Sequence, residues 1–103
     1  MLIERLTFQA KYGQGDALVA LIREMNTISA AKGLPTMQRV CVDRTGRMFT
    51  VIMDSESKDL AAYAVSAADE SGMYSDPEFQ AWFAKMVPLV ERGERQLLES
   101  VDL

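Results

Sequence analysis

The chain is predicted to fold as an α+β domain with the element order β-α-β-β-α-β, a four-stranded antiparallel sheet with helices on one face. Three observations predict it. Residues 2–10 alternate between apolar and polar. Two later stretches, 16–32 and 76–92, repeat their apolar residues at a helical period. Between them, Asp43-Arg44-Thr45-Gly46-Arg47 has the composition of a hairpin turn between two short alternating runs. Two strand–helix–strand units with right-handed crossovers, joined by that hairpin, form such a sheet and put the first and third strands at its centre.

Each element has its own grounds. In the first strand Leu6, Phe8 and Ala10 share one face and Arg5, Thr7 and Gln9 the other; Tyr12-Gly13-Gln14-Gly15 then breaks it. A helix begins at Asp16, with Leu18, Leu21, Ile22, Met25 and Ile28 in one stripe. Lys32 complements the negative end of its dipole, Gly33 suits the position just past its end, and Leu34-Pro35 prevents continuation. The second strand spans 37–43, with Val40 and Val42 on one face and Arg39 and Cys41 on the other. The third spans 48–54, with Phe49, Val51 and Met53 on its apolar face. Ser57 caps a second helical region whose narrow face of mostly small residues is Leu60, Ala64, Ala67 and Ala68; Gly72 interrupts it. Asp76-Pro77-Glu78 restarts the helix with a cap, a proline at the first position and an acid in the first turn. Phe79, Trp82, Phe83, Met86 and Val90 form its stripe. Pro88 is expected to kink it at a cost of roughly 3 kcal/mol, Gly93 to end it, and residues 94–101 to return as the fourth strand.

Composition bounds the function. A chain of 103 residues, 49% apolar and 25% charged, is predicted to be one domain spanning 1–103. The net charge is −4 and the basic residues are scattered, so nucleic acid is excluded as a partner. There is no histidine, which removes the commonest general base, metal ligand and proximal haem ligand. The one cysteine, Cys41, allows no internal disulfide. Glu4 and Arg5 interrupt the N-terminal apolar stretch, so it is not a signal sequence, and no apolar run is long enough to span a membrane. A cytoplasmic location is the expectation, with no metal and no cofactor.

The face expected to point away from the helices is poor in lysine and glutamate. It would carry Ile3, Arg5, Thr7, Arg39, Cys41, Met48, Thr50 and Ile52. Such a face predicts a second packing surface, and the simplest partner is another copy of the same sheet about a two-fold axis.

With this element order, the DRTGR hairpin and the segment SDPEFQAWFAKMVPLVERGER at 75–95, the chain resembles the dimeric α+β barrel proteins over nearly its whole length. It is most similar to their NIPSNAP-like branch, with the antibiotic-biosynthesis monooxygenases as near neighbours. The resemblance implies a ferredoxin-like protomer, a homodimer whose two sheets form a barrel, and a pocket between sheet and helices. It brings in metal-free oxygenases, haem-degrading enzymes and isomerases. The haem enzymes use a histidine, which this chain lacks. Metal-free oxygenation in the family leans on Trp, Asn, Tyr and Arg around the pocket; Trp82, Tyr63, Tyr74 and Arg39 are available, and Asn26 is the only asparagine.

Candidate ligand-pocket residues are therefore Arg39, Tyr63, Met73, Tyr74, Phe79, Trp82, Phe83 and Met86. Aromatic walls and adaptable methionines suit a small apolar or aromatic ligand, although a stripe at helical spacing equally reads as core. Arg39 reads either as an interface residue or as the group holding a ligand's carboxylate or enolate. Cys41 has no base to activate it. Glu4 and Glu99 fall on neighbouring strands, as paired carboxylates or, more plainly, as partners of Arg5, Arg39 or Arg95. Gly13-Gln14-Gly15 is a turn, lacking the third glycine of a dinucleotide fingerprint. Two functions stay open: a homodimeric small-molecule-binding or structural protein, and a cofactor-independent monooxygenase or isomerase acting on a small aromatic or polyketide-like substrate.

Overall fold

The computed structural model describes residues 1–103. The chain runs β1 (Leu2–Ala10), α1 (Gly15–Ala31), β2 (Arg39–Val42), β3 (Thr50–Ser57), α2 (Leu60–Ser71), α3 (Pro77–Met86) and β4 (Val90–Glu99), with 3₁₀ turns at Gly72–Ser75 and Val87–Leu89. The strands form one antiparallel sheet in the order β2-β3-β1-β4, so β1 and β3 are central as their apolar alternation predicts.

Register decides which side chains share a face. Leu6 lies opposite Met53 and Arg95, and Phe8 opposite Val51 and Gly93; these residues face the helices. Arg5 lies opposite Asp54 and Gln96, and Arg39 opposite Asp54; these face outward. Ala10, Leu18, Ile22, Val51 and Met53 form the buried core, and Phe79 and Trp82 from α3 are buried beside it. The molecule measures 39 × 37 × 19 Å, the thickness of one sheet with one helix layer. The outer sheet face is uncovered.

Local chemistry fixes the helix ends. Gly33 takes the left-handed conformation (φ 69°) just past α1. Lys32 beside it bridges to Asp76 (3.1 Å) and Glu78 (3.3 Å), joining the end of α1 to the start of α3. Asp76 caps α3 by accepting from the Glu78 backbone N–H at 2.8 Å. Asp43 accepts from the Thr50 N–H at 3.0 Å, which closes the hairpin.

Several elements depart from the sequence reading. Pro88 does not kink α3: the helix stops at Met86, and Pro88 sits in the 3₁₀ turn that leads straight into β4. A proline there lacks the N–H that another helical turn would need. Gly93 is not a helix stop but lies inside β4, opposite Phe8. A Cβ at Gly93 would fall 2.6 Å from the Phe8 ring, so the glycine gives the ring its place. Met48 and Phe49 precede β3 rather than opening it, and Phe49 has φ 60°, uncommon for a bulky residue. Ser57 is still strand, and Asp59 caps α2 by accepting from the Ala62 N–H at 2.9 Å. The expected inner face of α2 is reversed. Leu60, Ala64, Ala67 and Ala68 are exposed, and the half-buried positions include Tyr63, Ser66 and Glu70.

Candidate functional site: a cavity with an acidic annex

Between the helix-facing side of the sheet and α1 and α3 lies a cavity of about 160 Å³. Its walls follow from the two periodicities. The strands contribute alternate residues, Leu6 and Phe8 from β1 and Met53 from β3; α1 contributes Met25, Asn26 and Ser29 at helical spacing. From the other side come Met73 and Tyr74 in the 3₁₀ turn and Trp82, Phe83 and Met86 on α3. Tyr74 and Phe83 stack at 5.6 Å, and Phe83 meets Trp82 edge-on at 5.2 Å. Trp82 is buried, and its indole N–H donates to the Leu21 carbonyl at 2.6 Å, tying α3 to α1.

Five of the eight pocket candidates thus come together around the cavity: Met73, Tyr74, Trp82, Phe83 and Met86. Phe79 is fully buried and packs as core. Tyr63 is one layer removed, its hydroxyl donating to the Glu4 carboxylate at 2.5 Å. Arg39 lies on the opposite side of the sheet, because its position in β2 places it opposite Asp54 on the outer face. The arginine that does line the cavity is Arg95 of β4, with Nε 3.9 Å from Glu4. Glu99 lies opposite Leu2, while Glu4 lies opposite Leu97, so Glu4 and Glu99 form no directly opposed pair.

Sequence reasoning passed over Asn26, Glu70 and Arg95 as wall residues. For Glu70 a signal existed: Tyr63, Ser66 and Glu70 recur at helical spacing as a polar stripe. For Arg95 there was none, because its face depends on β4 starting at Val90. Asn26 is held in place by accepting from the Met37 N–H at 3.0 Å.

A smaller annex of about 40 Å³ adjoins the cavity and shares Glu4, Pro35 and Glu70 with it. The annex is lined by Tyr63 and Ser66 of α2 and by Ser55 and Ser57 of β3, and no lysine or arginine lines it. Burial pushes the Glu70 carboxyl above its ordinary range; the nearby Glu4 charge adds to this and Arg95 partly offsets it. The hydrogen bond to Glu4 raises the Tyr63 hydroxyl in turn, with burial contributing.

The outer face holds a different arrangement. Asp54 is 2% exposed, although it faces the uncovered side. Arg5 binds it in a bidentate fork, Nε to Oδ1 and Nη2 to Oδ2, both 2.9 Å. Arg39 adds a third bond to Oδ2 at 2.8 Å. These partners, Arg5 first, hold the Asp54 carboxyl at about 2 against desolvation. Ile3, Thr7, Cys41, Thr50 and Ile52 share this face. Met48 does not: it lies in the turn ahead of β3 and lines a groove with Gly15, Asp16 and Val42.

The sequence matches no protein-family model and no curated protein. The fold has close counterparts among solved structures. A NIPSNAP domain protein from Burkholderia xenovorans superposes with a TM-score of 0.79 at 18% identity, covering 98% of this chain and 95% of that one. A NIPSNAP family protein from Agrobacterium tumefaciens gives 0.78 at 21% identity, covering 98% and 93%. A structure described as an antibiotic biosynthesis monooxygenase gives 0.65 at 17% identity, covering 99% and 100%. The protein therefore shares the ferredoxin-like α+β fold of the NIPSNAP-domain proteins and, less closely, of the antibiotic biosynthesis monooxygenases.

Proposed function

We propose that the protein is a homodimeric small-molecule-binding protein whose ligand sits between sheet and helices. The observation that carries this reading is the cavity itself, with methionine and aromatic walls and a polar end. Its 160 Å³ is close to the roughly 150 Å³ of an engineered apolar cavity that admits benzene. Room for one ring, and not for a fused polycycle, is the corresponding ligand size.

The two-fold partner belongs to the same reading. Only 10 of 103 residues are buried in the protomer, few for a domain of this length, and one sheet face is uncovered. Ile3 and Ile52 on that face, with Cys41 directly opposite Ile52, would be covered by a second copy. Cytoplasmic residence is part of the proposal and accords with the free, exposed Cys41. No helix is long and apolar enough to cross a membrane.

One observation favours the second reading, a cofactor-independent monooxygenase or isomerase. Asn26, Tyr74, Trp82 and Arg95 line the same cavity, the residue types that metal-free oxygenation in similar proteins draws on.

Native mass spectrometry on gently purified protein tests the binding reading. The expected result is a dimer carrying the added mass of a small molecule, and a bare monomer would overturn it. Ile52→Lys is expected to give a folded monomer. If the dimer mass persists, the sheet face is not the interface.

A further inference from the structure

The inner face of α2 runs against what folding alone would select. An amphipathic helix lays its apolar stripe on the sheet. Here Leu60 and Val65 are both 64% exposed, while Tyr63, Ser66 and Glu70 turn inward around the annex. Where local rules for stability are broken without a compensating contact, function is the usual reason. Glu70 makes no hydrogen bond or ion pair with any other side chain, although it is partly buried and lines both compartments.

The charge balance points one way. The acids whose strand or helix face turns towards the annex are Glu4 and Glu70, and no basic residue lines it. Arg95 is the one cation at the cavity; it is 65% exposed at the side chain and stands nearest to Glu4, at 3.9 Å, so it offsets the Glu70 charge only in part. The volumes divide the task as well: 160 Å³ takes a ring, and 40 Å³ takes a single small head group.

We propose that the joined cavity and annex bind a small protonated amine, with an apolar body of about one ring among Trp82, Phe83 and Met86 and its ammonium in the annex between Glu4 and Glu70. An ammonium supplies only donors, which the carboxylates and hydroxyls of the annex can accept. The aromatic wall adds favourable electrostatics for a cation arriving at the cavity. This class of ligand rests on the binding reading above, and one experiment separates the two.

Isothermal titration calorimetry of the full chain near neutral pH would compare phenethylamine, 2-phenylethanol and phenylacetate, which share a ring and differ in charge. The amine is expected to bind on the order of tenfold more tightly than the alcohol, the discrimination of one charge-assisted contact. In Glu70→Gln, and independently in Glu4→Gln, the ratio of the two affinities is expected to fall towards one, with thermal unfolding confirming that each variant is folded. Alcohol or phenylacetate binding as tightly as the amine would overturn the amine assignment and leave the cavity reading standing. A preference that survives in both variants would overturn it too. If none of the three probes binds, the cavity reading falls and the amine with it.

Discussion

Asp54 and Glu70 stand on opposite sides of the same sheet, and the protein treats them in opposite ways. Asp54 is buried yet accepts three bonds from two guanidinium groups, so its charge is more than matched and its carboxyl is held at about 2. Glu70 is only partly buried, has no partner, and is pushed upward. A carboxylate whose bonding is complete is part of the scaffold. One left incomplete beside a cavity is available to a ligand. The difference shows that burial alone does not mark a functional acid; the supply of donors does.

The comparison can be broken from either side. The largest effect is expected on the covered face, where Trp82→Ala removes both a buried indole and its bond to Leu21. It should destabilise by about 3–5 kcal/mol in urea unfolding; a loss under about 1 kcal/mol would mean that the helix layer does not rest on Trp82.

On the outer face, Asp54→Asn should cost about 2–3 kcal/mol, since it leaves two arginines adjacent without their shared anion. Its pH signature is specific. The Asp54 carboxyl is lowered, so its stabilisation is complete above the ordinary value of 3.8 and is lost as pH falls through about 2. The stability gap between the protein and Asp54→Asn should therefore shrink by about 2 kcal/mol across that interval. A gap constant with pH would show that the arginines do not hold the charged form.

Gly93→Ala should cost about 1–2 kcal/mol, because the added methyl meets the Phe8 ring. An unchanged midpoint would mean that the ring swings aside freely, and that the sheet end of the cavity is softer than its geometry implies.

Glu70→Gln should have the smallest effect and the opposite sign. A raised carboxyl favours the fold when protonated, and its ionisation costs stability as pH rises through its value. The variant should therefore be more stable near neutrality, by about 0.5 kcal/mol after screening, and equal to the parent at pH below the ordinary 4.5. Equal stability at every pH would indicate that Glu70 is solvated like any surface acid.

Much of this architecture is legible in the chain because strand and helix periods differ. The alternation from Leu6 to Ala10, the stripe from Leu18 to Ile28 and the Asp76-Pro77-Glu78 cap each state their element locally. What was not legible depended on register between distant strands. Whether Arg95 faces the cavity is settled by the register of β4 on β1, and a shift of one residue turns every side chain over, whereas the outward place of Arg39 follows from the alternation of its own strand. Gly93 reads as a stop because glycine usually punctuates, yet here it answers to Phe8 more than eighty residues away in sequence. The site on α2 was hidden for the converse reason: its polar stripe resembles a solvated face until the sheet is laid against it.

The indole of Trp82 has one more consequence. It is the only tryptophan in the chain, it lines the cavity wall, and its N–H is fixed to a backbone carbonyl. The protein thus carries its single indole fluorophore at the place where a ligand would arrive. Occupancy should shift or quench its emission while the protein stays folded, whereas unfolding should carry the emission towards that of indole in water. Entry and unfolding become two separable colours from one unlabelled residue.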